Sequence, residues 1–204
     1  MSYTAPPTRV TCTASLPMID AAEIRGRGAR LDMALVRPLF DEAQISERVG
    51  ELARDIAAAF PGDFTIVGLL TGAFVLVADL VRALDRVGRA PRVEFLRLGS
   101  YGQTRESSGA VKLVGEVPDI KGRAVLLVDD IVDTGRTQAF ARELLLHHGA
   151  TRVAACMLLD KPSRREVAVT SDFVGFVTAD LFLVGYGIDY AGQYRHLPYI
   201  GTID

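Results

Sequence analysis

Apolar positions recur at helical spacing from Asp41 onward. Ile45, Val49, Leu52, Ile56 and Phe60 share one face, and Pro61-Gly62 ends the run. The pattern predicts a helix that opens at Asp41. Phe64–Leu70 is a short apolar run and predicts a buried strand. Thr71-Gly72 turns it into a second helix, from about Ala73 to Val87, with Gly88 beyond its end. Arg92–Leu98 reads as another strand. Residues 99–110 carry no apolar period, and such a polar stretch inside a compact domain fits a functional lid or a disordered excursion. Lys112–Val117 predicts a short strand leading out of it. Ala124–Val128 is rich in β-branched and aliphatic residues and bounded by turn signals, the mark of a fully buried parallel strand. A helix over about Arg136–His148 follows, closed by Gly149. Further strands are expected over Arg152–Leu159, Val174–Val177 and Phe182–Tyr186. Strands alternating with helices imply an α/β fold, with a mostly parallel central sheet and helices on both faces.

Composition changes this picture little. A chain of 204 residues is long enough for one sizeable core, and 49% hydrophobic with 24% charged residues is ordinary for a globular domain. Residues 1–30, rich in Pro, Thr, Ala and Arg, have no period and read as a partly disordered N-terminal arm; residues 31–204 read as a single domain. Within the arm, Arg25-Gly26-Arg27-Gly28-Ala29-Arg30 is either a basic contact patch or simply solvated. The net charge of −2 gives no electrostatic reason to expect nucleic acid or an anionic membrane as partner. No signal-peptide layout and no stretch of membrane-spanning length is present, so the expected location is cytoplasmic. Cys12 and Cys156 form no metal-spaced pair, and Cys156 reads as a buried thiol. His147 and His148 suit the last turn of a helix, where the dipole favours a cation; His196 is isolated.

The chemistry is concentrated in residues 124–137. The apolar run ends in Asp129 and Asp130, Asp133 follows, and Thr134-Gly135-Arg136-Thr137 opens the next helix. Open α/β sheets bind ligands at the carboxyl ends of their strands. A turn of Thr, Gly and Thr at a helix N-terminus offers backbone N–H groups and hydroxyls to a phosphate. Acids beside a phosphate can hold sugar hydroxyls or a metal ion, or accept a proton. The plainer alternative is a capped helix after an ordinary strand.

This string resembles the phosphoribosyl pyrophosphate signature of the type I phosphoribosyltransferases. Leu159-Asp160-Lys161, Asp172–Phe176, Phe182–Tyr190, Tyr194-Arg195 and Leu197–Gly201 extend the likeness. Together they resemble the hypoxanthine-guanine phosphoribosyltransferases over about residues 35–203. That resemblance implies a small hood formed by the N- and C-terminal segments beside the sheet. It implies transfer of a 5-phosphoribosyl group from phosphoribosyl pyrophosphate to N9 of a 6-oxopurine, hypoxanthine or guanine, with Mg2+ as cofactor. The family commonly forms homodimers or homotetramers.

By the same resemblance, Asp129 and Asp130 bind the ribose hydroxyls and help place the magnesium-loaded diphosphate. They alternate in direction along a strand, so their contacts differ. Asp129 stands where the family often has Glu. Asp133 acts as proton acceptor near purine N7, its plainer role being a helix cap. Asp133, Thr134, Gly135, Arg136 and Thr137 cradle the 5′-phosphate. Lys161 meets the purine 6-oxo group, or else snorkels to solvent. Phe182 stacks on the purine, or else belongs to the core, and Leu183 offers backbone contacts. Asp189 resembles a second magnesium ligand at the purine side, and Arg195 a pyrophosphate-binding arginine. Thr71-Gly72 stands where the family often has Lys before Gly, in a turn that gives backbone amides to pyrophosphate, often with a cis peptide. Ser100-Tyr101 matches the start of a mobile catalytic loop. Three competing readings are a nucleotide-sensing RNA-binding regulator on the same fold, a xanthine-preferring phosphoribosyltransferase, and a phosphoacceptor domain.

Overall fold

Helix α1 (Glu42–Ala59) begins where Asp41 can cap it: the Asp41 carboxylate accepts the Gln44 N–H at 2.8 Å, and the Gln44 side chain accepts the Asp41 N–H at 2.9 Å. The computed structural model describes residues 36–100 and 111–203. The remaining elements are β1 (Val36–Phe40), β2 (Phe64–Leu70), α2 (Phe74–Arg86), β3 (Arg92–Ser100), β4 (Val111–Leu113), β5 (Ala124–Val132), α3 (Arg136–His147), β6 (Arg152–Asp160), β7 (Phe173–Val177), β8 (Leu183–Val184) and β9 (Ile200–Ile203). The N-terminal arm, Cys12 and Tyr101 lie outside the described residues.

Six strands form the main sheet in the order β4-β3-β2-β5-β6-β7, parallel except for β4. The chain builds outward from β2 to β3 on one side, then returns to lay β5, β6 and β7 on the other. The switch point therefore falls between the carboxyl ends of β2 and β5, where a crevice opens in such sheets. A second, antiparallel sheet of order β1-β9-β8 forms the hood. The periodicity did not predict β1 or β9, which are too short to show a pattern. Pro38 fits β1 because that strand is an edge, and the register slips between Pro38 and Phe40.

Strand alternation divides the core into two layers. Ile66, Leu126, Val128, Ala154, Cys156 and Leu158 face α1 and α2, packing against Ile45, Leu52, Ile56, Leu76 and Leu80. Val67, Leu69, Val125, Leu127, Val153 and Met157 face α3 and its Ala141 and Leu145. Both faces being covered explains why these strands read as unbroken apolar runs. Arg48 of α1 closes the outer edge of β7, donating to the carbonyls of Gly175 at 2.9 Å and Val174 at 2.8 Å. No helix among the described residues is long and apolar enough to cross a membrane.

Two strands run further than the apolar pattern suggested. β5 continues past Val128 through both aspartates, because Asp129, Ile131 and Val132 still pair with Met157, Leu159 and Asp160 of β6. Backbone pairing does not require an apolar side chain. The carboxylates thus stand within a strand, not beyond its end. β3 likewise runs to Ser100, paired with Val111 of β4.

Leu126 is wholly buried between β5 and the α1/α2 layer. Leu126→Ala should cost about 2–5 kcal/mol, read as a lowered urea midpoint in chemical denaturation.

Candidate active site

The alternation of β5 starts its two acids toward opposite faces, although both carboxylates reach the same clefts. Asp129 follows the parity of Val125 and Leu127 toward the α3 layer, and Asp130 that of Leu126 and Val128. Asp129 is buried, and its carboxylate accepts the Asp130 N–H at 3.0 Å. Burial, then the charge of Asp130, holds the Asp129 carboxyl well above its ordinary value of 3.8. Burial also raises Asp130, while the Asp129 side chain and the Arg195 charge pull it back down.

Asp130 lies directly on the turn after β2. A Cβ on Gly72 would stand 1.8 Å from its Oδ2, so no larger residue fits. The Leu70–Thr71 peptide at this turn is cis. On the other side of Gly72, a Cβ on Gly187 would come 2.2 Å from the Gly72 carbonyl oxygen. Arg195 holds this segment in place: Nη1 donates to the Gly187 carbonyl at 2.5 Å, and Nη2 lies 2.5 Å from Asp189 Oδ1. Asp189 Oδ2 accepts the Gly192 N–H at 2.8 Å. The turn, Asp130, Asp189 and Arg195 therefore form one wall.

The opposite wall is the loop before α3. Gly135 is the N-cap, at φ 87, and no side chain caps the helix. Asp133 is thus not a cap; its Oδ1 stands 2.8 Å from Arg164 Nε. A strap made of residues 161–167 grips the loop from behind. Arg165 donates to the Asp133 carbonyl at 2.6 Å and is ion-paired with Asp160. The N–H groups of Glu166 and Val167 both donate to the Thr134 carbonyl at 3.0 Å. Arg136 Nε donates to Glu166 at 2.8 Å. A Cβ on Gly135 would lie 2.7 Å from the Val167 carbonyl oxygen, and its φ disfavours any L side chain. The sequence reading did not single out Arg164, Arg165 or Glu166. The one available signal was a basic doublet just behind Lys161 in a stretch with no period.

Two clefts join these walls. One of about 210 Å³ is lined by Asp129, Asp130, Asp133, Thr134, Gly135 and Thr137 among others. The other, of about 330 Å³, takes in Thr71, Gly72, Asp129, Asp130, Thr137, Asp189 and Arg195. Asp129, Asp130 and Thr137 line both, so the space is continuous across the switch point. A larger cleft of about 580 Å³ lies between α1, α2 and the C-terminal segment and meets this site only at Arg195.

Lys161 is buried at 7% exposure and donates from Nζ to the Leu181 carbonyl at 2.5 Å, so it does not snorkel. Phe182 is 54% exposed and meets Tyr190 edge-to-face at 5.1 Å, so it is not core. Leu183 is buried in β8. Ser100 ends β3 at the approach to the cleft.

The family model of the phosphoribosyl transferase domain matches residues 38–191. Hypoxanthine phosphoribosyltransferase of Escherichia coli K12 is 44% identical over 172 residues, covering 82% of this chain and 95% of that protein. The chain belongs to the type I phosphoribosyltransferases, in the hypoxanthine-guanine phosphoribosyltransferase family. The hypoxanthine-guanine phosphoribosyltransferase of Aquifex aeolicus is 43% identical over 185 residues, covering 89% of this chain and 98% of its own. That of Bacillus anthracis superposes with a TM-score of 0.76 at 39% identity, covering 82% of this chain and 98% of the other.

Type I phosphoribosyltransferases generally use Mg2+ with their diphosphate substrate. Among the described residues no cluster of three or more His, Cys, Asp or Glu could cage a metal ion. Two crowded carboxylates facing a cleft nonetheless fit an ion that is held mainly by substrate phosphates, as Mg2+ usually is.

Asp129 should also leave a mark on stability. Its folded pKa is raised, so the neutral carboxyl suits the fold; that contribution is full below about 3.8 and fades as pH rises through the folded value. Asp129→Asn in the ligand-free protein should gain urea resistance over wild type at pH 8 relative to pH 5. A difference between the two proteins that does not change with pH would contradict this account.

Proposed function

We propose that this phosphoribosyltransferase moves the 5-phosphoribosyl group of phosphoribosyl pyrophosphate to N9 of hypoxanthine or guanine, giving IMP or GMP and pyrophosphate. The observation that carries this reading is the continuous cleft across the switch point, with a phosphate loop at one end and the Thr71-Gly72 turn, Asp189 and Arg195 at the other. Its two differently lined ends suit a sugar carrying a phosphate at one end and a diphosphate at the other. The names of the relatives above support the base class.

The chain's own groups then divide the work. Thr134, Gly135, Arg136 and Thr137 hold the 5′-phosphate at the start of α3, where N–H groups point outward. Thr71 lacks the ammonium that many relatives carry at that turn but keeps the backbone, so the turn and the Arg195 fork hold the diphosphate. Asp129 and Asp130 take the ribose hydroxyls. Magnesium, when bound with the diphosphate, neutralises charge on the leaving group; Asp129, Asp130 and Asp189 are the residues that would hold it. As the bond from C1′ to the diphosphate oxygen breaks and N9 bonds to C1′, Asp133 accepts the proton from purine N7. Lys161 turns its ammonium from the Leu181 carbonyl to the 6-oxo group. A 6-amino group offers a second donor there, and this disfavours adenine. The exposed Phe182 ring stacks on the base, and the Leu183 backbone contacts its edge. Closure of the loop beginning at Ser100-Tyr101 would exclude water from the cationic centre.

The reading extends to residues 31–204 as one catalytic domain with residues 1–30 as an arm, and to a cytoplasmic homodimer or homotetramer, which sedimentation would measure.

Assay of hypoxanthine, guanine, xanthine and adenine with phosphoribosyl pyrophosphate and Mg2+ tests the proposal. Hypoxanthine and guanine should react and adenine should not. Asp133→Asn should keep phosphoribosyl pyrophosphate binding and slow turnover by roughly 10²–10⁴. Lys161→Ala should weaken purine binding and relax base selectivity; unchanged selectivity would remove Lys161 from the role.

A further inference from the structure

Residue 133 is gripped twice by two consecutive arginines. Arg165, anchored by Asp160, takes its main-chain carbonyl at 2.6 Å. Arg164 takes its side chain, with Nε 2.8 Å from Asp133 Oδ1. The same guanidinium reaches Asp180, Nη1 lying 3.3 Å from Oδ2. Asp180 leads directly into Leu181, whose carbonyl accepts from Lys161, and into the exposed Phe182. Arg164 therefore spans the two halves of the base-binding region, one carboxylate on each side.

Arg164 is 46% exposed, and an ion pair that open to water contributes little to stability. Its role must be sought in what it fixes. One rigid guanidinium reaches both carboxylates at once, Asp180 by a hydrogen bond and Asp133 by a close ion contact, a span that a single lysine ammonium does not match. With Oδ1 against the Arg164 cation, the Oδ2 of Asp133 stays available to a substrate proton.

We propose that Arg164 is a positioning residue for phosphoribosyl transfer: it aims the Asp133 carboxylate into the cleft and ties it, through Asp180, to the segment that carries Phe182. The proposal rests on the assignment of Asp133 as proton acceptor made above. Arg164 acts only through Asp133 and does not touch phosphoribosyl pyrophosphate. Aiming a proton acceptor changes turnover, because reaction is sensitive to small errors in placement.

A double-mutant cycle in the full-length protein tests this, with kcat and both KM values measured for wild type, Arg164→Ala, Asp133→Asn and the double variant. Arg164→Ala should lower kcat on the order of tenfold and leave the phosphoribosyl pyrophosphate KM within about twofold. In the Asp133→Asn background the same substitution should have almost no further effect, since the group it aims is gone. Arg164→Lys should recover only part of the loss. Asp180→Asn, which keeps the shape of its side chain, should lower kcat several-fold, again only while Asp133 is present, and it carries the test if Arg164→Ala folds poorly. Equal losses in both backgrounds, or wild-type kcat in Arg164→Ala and Asp180→Asn, would overturn the proposal. A wild-type protein inactive on every 6-oxopurine would instead sink the assignment of the reaction, and that arm is read first.

Discussion

Two adjacent carboxylates near the carboxyl end of β5, Asp129 buried and Asp130 half-buried, are the constraint on which the rest of the site depends. Like charges on neighbouring residues repel, and burial penalises both. The fold limits that cost in two ways. Asp129 is given the Asp130 N–H, and Asp130 feels the charge of Arg195. The remaining penalty makes the crevice receptive to hydroxyl donors and to positive charge, both of which the proposed magnesium-loaded sugar diphosphate would bring.

Close backbone approach is the second requirement, and it follows from the first. Asp130 can lie on the β2 turn only because residue 72 has no side chain. Residue 135 must turn sharply while the strap behind it presses to within 2.7 Å of where a Cβ would be. The two turns are thereby brought to the crevice, which Thr71, Gly72, Thr134 and Gly135 line. The core beneath is ordinary by comparison. Its two apolar layers hold β2 and β5 rigid side by side, and that rigidity lets two turns distant in sequence act as one site.

Much of this was legible along the chain. The helix from Asp41, the strand Phe64–Leu70 and the helix ending near His148 follow directly from apolar spacing and caps, because burial imposes a period on any element with a covered face. The acid-rich signature stood out along the chain, since no packing role explains three aspartates and a Thr-Gly turn together, and the fold places it at the cleft across the switch point. Other features were invisible for definite reasons. β1 and β9 find their pairing across most of the chain length, and neither has a period long enough to see. The extension of β5 through Asp129 and Asp130 is dictated by its neighbour β6 and not by the side chains themselves. Asp133 suited a helix cap by type, yet Arg164 engages it.

The amino-acid sequence by itself determined the α/β class, the order of the principal elements, the resemblance to a phosphoribosyltransferase and the residue types proposed to carry the chemistry. Each of these is written in local spacing or in a contiguous motif. Tertiary structure alone decided that the turn after β2 lies against the acids of β5, that Lys161 rests on a carbonyl twenty residues away and that Arg164 bridges Asp133 to Asp180. Those contacts join segments with no shared period. They arise only when parallel strands in a non-sequential order bring their carboxyl ends together.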